Sequence, residues 1–133
     1  MKLLLLALAT LVCGLAVAYA VQGDPPGMAC REVTVVRYYP GPNWAAFEQH
    51  VGGHLVFLQT QMAADKVLFA GPLVDAGGGY TIYALTDQAE VDTLVRQDPL
   101  VINKVVTHAL RRWKMCQKAP SPAAGQPPAS PPR

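Results

Sequence analysis

Residues 67–85 read VLFAGPLVDAGGGYTIYAL. Val67–Ala70 forms a short apolar strand closed by Gly71-Pro72, and Tyr80–Leu85 is a second strand, rich in β-branched and aromatic residues, entered through Gly77-Gly78-Gly79. The three glycines are then a flexible turn between two consecutive strands. On both sides of this pair the spacing turns helical. Upstream, Trp44, Phe47, Val51, Leu55, Leu58 and Met62 recur at steps of three or four, behind Asn43 as a cap. Gly52-Gly53 interrupts that stripe, each glycine costing about 1 kcal/mol relative to alanine, and marks a kink, a late helix start or a close backbone approach. Downstream, Asp87 followed by Glu90 resembles a capping box for a helix through about Arg96, and Asp98-Pro99 restarts the chain with Asp98 as N-cap and Pro99 as first helical residue. Outside these lie a first strand, Glu32–Tyr39, ended by Pro40-Gly41-Pro42, and a last strand, Thr107–Met115. The order is βαββαβ, an α+β sandwich of the ferredoxin-like type with an antiparallel four-stranded sheet.

That topology bears on the cysteines. Its first and last strands are adjacent and antiparallel, so the residue before strand one lies beside the residue after strand four. Those residues are Cys30 and Cys116. They are expected to be bridged, closing a loop of nearly the whole core; two unpaired buried thiols are the alternative. Zinc is disfavoured because no C-x-x-C pair exists.

The two ends differ from this core. Lys2 is the only charge before Asp24, an apolar run extends from Leu3 to about Ala18, and Ala18-Tyr19-Ala20 follows. This is the pattern of a secretory signal over residues 1–20, with an uncleaved anchor as the alternative. Neither Cys13 nor Cys30 has the small-residue context of a lipoprotein. Residues 21–29, with Asp24-Pro25-Pro26-Gly27, read as a linker, residues 30–117 as the folded domain, and residues 118–133 as a Pro/Ala/Ser tail too poor in apolar side chains to order itself. Export implies a periplasmic or secreted protein with no membrane attachment after cleavage, and fits a disulfide.

A chain of 133 residues is one domain's worth, and 11 Lys plus Arg against 9 Asp plus Glu is nearly balanced. That balance argues against a nucleic-acid partner, whose phosphates would call for a basic stripe. No Lys-Ser/Thr follows the glycine run and it enters a strand, which excludes a phosphate loop. No G-x-S-x-G elbow is present, and no cofactor signature appears. His50 and His54 are four residues apart, the spacing of paired metal ligands, but the intervening glutamate of the zinc-protease motif and a third ligand are both lacking. By helix geometry His54 sits at the edge of the apolar stripe, where a partly buried structural histidine is the simplest role. On the last strand His108, Leu110, Arg112 and Lys114 share one face, as a solvated rim or an anion-binding row.

Three short motifs, taken in order, carry a family resemblance. His54-Leu55-Val56-Phe57-Leu58, then Lys66-Val67-Leu68-Phe69-Ala70-Gly71-Pro72-Leu73, then Gln97-Asp98-Pro99-Leu100-Val101 resemble the H-L-x-x-L helix, the strand ending in A-G-P and the D-P-[FYL]-V turn of the YCII-related (YciI-like) family. The likeness spans roughly Val33 to Met115 and leaves the signal, the cysteine pair and the proline tail unexplained. It implies a dimeric α+β barrel, in which two ferredoxin-like sheets pack face to face as a homodimer. It also implies a paired His and Asp in a pocket proposed as an active site, at His54 and Asp98; some relatives are similar to enzymes acting on small ring compounds, dehydrochlorination included, while most have no assigned activity.

A carboxylate beside an imidazole orients the ring and favours its charged form. His54 would then be general acid or base, with Asp98 setting its tautomer, for elimination or isomerisation of a small molecule without a nucleophile. Tyr38, Tyr83 and Arg112 are the residues expected to contact the substrate. The alternatives are a non-catalytic ligand-binding module, or an interaction protein working through its dimer surface and tail, with Asp98 only capping its turn.

Overall fold

A computed structural model of the protein describes residues 23–121. The signal sequence assigned to residues 1–20 and most of the proline-rich tail lie outside them. The elements run β1 (Met28–Pro40), a 3-10 turn (Trp44–Ala46), α1 (Phe47–Ala63), β2 (Val67–Pro72), β3 (Gly79–Tyr83), α2 (Gln88–Val95), α3 (Pro99–Ile102) and β4 (Val106–Lys118). The sheet order is β2-β3-β1-β4 with every neighbouring pair antiparallel, which is the ferredoxin-like arrangement.

β1 and β4 are longer than their composition suggests, because each extends along the other. Their ladder is unbroken from Met28↔Lys118 to Pro40↔Val106 and places Cys30 opposite Cys116. The two sulfurs are bonded, 86 residues apart in sequence.

Side chains alternate across this sheet. Val36 and Tyr38 of β1, Tyr83 of β3 and Val106 of β4 point to the helices and pack with Val91 and Val95 of α2 and Leu100 of α3. Val91, Val95 and Val105 are fully buried, each contributing about 1.5–3 kcal/mol by leaving water. A bulge in β2 puts Val67 opposite Tyr83 but Phe69 opposite Ile82. The extra residue reverses the alternation, so Val67 joins the core while Phe69 turns to the other face. That other face carries Phe69, Tyr39, Tyr80 and Trp113, each exposed by 45% or more.

One local expectation needs correction, and one set of alternatives resolves. Asn43 does not cap α1: its Nδ2 donates to the carbonyl of Asn103, and the chain passes through the 3-10 turn before α1 begins behind Ala46, which offers no side-chain cap. Helix α1 runs through Gly52 and Gly53 without a break. At Gly53 the reason is a close approach, since a Cβ there would stand 3.1 Å from Pro99 Cγ. The other caps form as expected, with Asp87 accepting from Ala89 N–H and Asp98 accepting from Leu100 N–H.

Candidate functional site

The site is organised by two residues that the fold brings together from 44 positions apart. Asp98 ends the loop after α2 in extended conformation, with Pro99 behind it to start α3. Its Oδ1 takes the Leu100 amide at 2.9 Å, and its Oδ2 takes Nδ1–H of His54 from α1 at 2.7 Å. The carboxylate has no solvent exposure. A fully buried carboxylate accepting two hydrogen bonds is stable only while both donors stay in place. Capping the turn and holding the histidine are therefore one arrangement and not rival roles.

The consequence for the ring is chemical. A carboxylate oxygen only accepts, so the proton must sit on Nδ1 of the neutral imidazole, and the lone pair is left on Nε2. Nε2 has no protein partner among the described residues. The ring borders a cavity of about 400 Å³, inside the range of small-molecule sites.

That cavity opens at the end of the sheet. Trp44, Phe47, Val51 and Leu55 form one wall, the Gly77–Gly79 run another, and Leu58 and Leu100 also line it. Among the described residues none of its lining side chains is Asp, Glu, Lys or Arg. Leu55 is 52% exposed despite its place in the apolar stripe, because part of that stripe faces the cavity and not the core. Such a site suits an uncharged or weakly acidic small molecule and gives a net-charged one no counter-ion.

Tyr38 also borders the cavity, with its ring edge-on to His54 at 6.1 Å between centroids. Tyr83 lies under it, fully buried and outside the lining. Burial, and after it the electrostatic influence of the neighbouring Tyr83 and Asp98, push the Tyr38 hydroxyl far above its ordinary range; burial and then Asp98 do the same to Tyr83. Both hydroxyls stay protonated at any working pH, so they can donate hydrogen bonds but cannot act as bases. Neither has a hydrogen-bond partner among the described residues.

Arg112 is not brought to this site. It pairs with Glu32 on the solvent-exposed part of the β1–β4 ladder, opposite Thr34. It shares the helix-facing side with His108, but four residues along a strand is about 13 Å. His108 donates from Nε2 to Asp92 of α2 at 2.8 Å, fastening helix to sheet away from the cavity. His50 does not line the cavity either, and among the described residues no group of three or more His, Cys, Asp or Glu could hold a metal ion.

No protein-family model matches the chain. In sequence it is similar to the uncharacterized protein YjpA of Bacillus subtilis (strain 168), at 29% identity over 68 residues, which cover 51% of this chain and 80% of YjpA. In structure it is similar to 5-chloro-2-hydroxyhydroquinone dehydrochlorinase (TftG) from Burkholderia phenoliruptrix AC1100, solved in complex with 2,5-dihydroxybenzoquinone. The TM-score is 0.54, at 20% identity, over 62% of this chain and 93% of that one. Likeness at that identity concerns the fold. The protein is an α+β chain with the ferredoxin-like strand order, similar in fold to TftG and in sequence to YjpA.

Proposed function

We propose that this chain is an exported, YciI-like small-molecule enzyme that uses His54 and Asp98 for acid–base chemistry of the elimination or isomerisation type. The observation that carries the reading is the buried Asp98 carboxylate holding Nδ1 of His54 while the ring borders an apolar cavity. Asp98 keeps the ring oriented and its Nε2 lone pair available, and the ring of Tyr38 forms part of the cavity wall beside it. A small polyphenol or related ring compound fits the absence of cations in the lining, and a dehydrochlorinase with the same fold supports that class.

For a chlorinated polyphenol the step balances without an external oxidant. His54 takes a hydroxyl proton and returns it to the ring carbon bearing chlorine. It then takes a second hydroxyl proton as chloride departs with the bonding pair. The net loss is HCl, and the product is the quinone.

The working form in this reading is a homodimer, with a second copy covering the sheet face that exposes Phe69, Tyr39, Tyr80 and Trp113. An apolar, aromatic face opposite the helices is the kind of surface that marks an interface.

The test is chloride release from 5-chloro-2-hydroxyhydroquinone by the oxidised protein. The parent protein should release chloride above the blank, and a folded His54→Gln variant should not. Release at the parent rate by His54→Gln, or none by the parent, contradicts the proposal. In sedimentation, Phe69→Glu should halve the mass of the parent species; a parent that sediments as a monomer removes the dimer from the account.

A further inference from the structure

By its place in β1, Arg37 belongs to the face of the sheet opposite the helices, with Tyr39 beside it and Tyr80 across from it. Its guanidinium lies 4.4 Å from the Tyr39 ring centroid and 5.2 Å from that of Tyr80. Nη1 donates to the Gly79 carbonyl at 3.4 Å and Nη2 to the Gly77 carbonyl at 3.5 Å. Both bonds are long, so the two rings do most of the holding and the carbonyls set the direction.

Gly77–Gly79 is the same run that walls the cavity on the helix side of the sheet. It is squeezed between the two faces. A Cβ at Gly77 would stand 2.5 Å from Pro40 Cγ and 3.3 Å from Trp44 Cζ2. One at Gly78, where φ is +83°, would stand 2.0 Å from the Tyr38 carbonyl oxygen and 2.8 Å from Arg37 Nη1. Gly79 is held in the sheet between Tyr38 and Pro72, but Gly77 and Gly78 lie before the strand and have no side chains to anchor them. Leu73 N–H donates to the Gly78 carbonyl, and Arg37 is the only side chain hydrogen-bonded to the run among the described residues.

We propose that Arg37 is a positioning residue for the cavity: from the opposite face of the sheet it holds the glycine wall in place and so sets the affinity for a ligand it never touches. This deepens the reading above and rests on the cavity being a ligand site.

Arg37→Lys tests it, because lysine keeps the charge but loses the planar fork and the stacking. Two quantities are read in the oxidised protein: backbone ¹⁵N order parameters, and hydroquinone affinity from Trp44 emission in a Trp113→Phe background. The variant should lower the order parameters of Gly77 and Gly78, leave those of Val36 and Tyr83 at parent values, and weaken hydroquinone binding about fivefold. Tyr39→Leu, which removes one ring but no lining residue, should give a smaller loss in the same direction. Unchanged affinity in Arg37→Lys, where the parent binds hydroquinone, overturns the proposal. If the parent binds none, the cavity's assignment has failed, and the order parameters alone judge Arg37: parent values at Gly77 and Gly78 overturn its positioning role.

Discussion

Replacing Asp98 by asparagine and by alanine should separate its two jobs. Alanine removes both acceptors. The lost cap costs about 1 kcal/mol, and the lost bond to the histidine, which is shielded from water and made to a charged oxygen, about 2 kcal/mol more. Asparagine is different because Leu100 N–H has to be accepted. Its carbonyl oxygen must take the cap position, which turns its NH₂ toward Nδ1 of His54. The ring then moves its proton to Nε2 so that Nδ1 can accept. The cap survives and a neutral hydrogen bond replaces a charge-assisted one, at a cost of about 1 kcal/mol. With a urea m value of about 1 kcal/mol/M for a domain of this size, the urea midpoint should fall by about 3 M in Asp98→Ala and about 1 M in Asp98→Asn. Long-range ¹H–¹⁵N spectra should show the His54 proton on Nδ1 in the parent and on Nε2 in Asp98→Asn. Activity should drop in both by the 10²–10⁴-fold typical of a lost general base, roughly, despite the unequal stabilities. Equal destabilisation by the two substitutions, with the His54 proton unmoved in Asp98→Asn, would refute this account of the pair.

The Cys30–Cys116 bridge closes a loop of 86 residues, so Cys30→Ser/Cys116→Ser should lose about 4.5 kcal/mol in the chain-entropy treatment; a urea midpoint equal to that of the oxidised parent would show that the β1–β4 ladder alone supplies the constraint. Gly52 lies inside α1, and a Cβ added there would meet nothing within 4 Å, so Gly52→Ala should stabilise by about 1 kcal/mol in thermal melts, whereas Gly53→Ala meets Pro99 and should recover less. Asp92 is held below its ordinary value of 3.8 first by the hydrogen bond from His108 and then by Arg96. A depressed carboxylate contributes stability above its unfolded pKa and loses it as pH falls through the folded one. The stability gap between parent and Asp92→Asn should therefore hold above the carboxylate range and close in acid below about pH 4; a gap that persists there would contradict the assignment.

The strand–strand hairpin at 67–85 and the helical stripes around it were legible because alternation and 3.6-residue spacing are local properties. Topology then led to Cys30 and Cys116. Asp98-Pro99 was legible as a cap, and the family resemblance linked it to His54. The cavity was not legible, because periodicity reports which side chains are apolar and cannot tell a filled core from an open one. Leu55 and Phe47 satisfy the same stripe as the buried Leu58. Arg112 was misplaced for a related reason: alternation assigns a face but not a distance along the strand. Asn43 reads as a cap locally, yet its partner is the Asn103 carbonyl, supplied by tertiary structure. Arg37 gave no signal at all, since its glycine partners lie 40 and 42 residues away.

The central claim is that His54 meets a small ring compound in the cavity through Nε2. The most direct measurement is a hydroquinone titration followed on the ring nitrogens of the three histidines. The account predicts a saturable shift of His54 Nε2, with His50 and His108 unmoved and the shift absent in Asp98→Asn. A titration in which no histidine responds, or in which His108 moves and His54 does not, would contradict it.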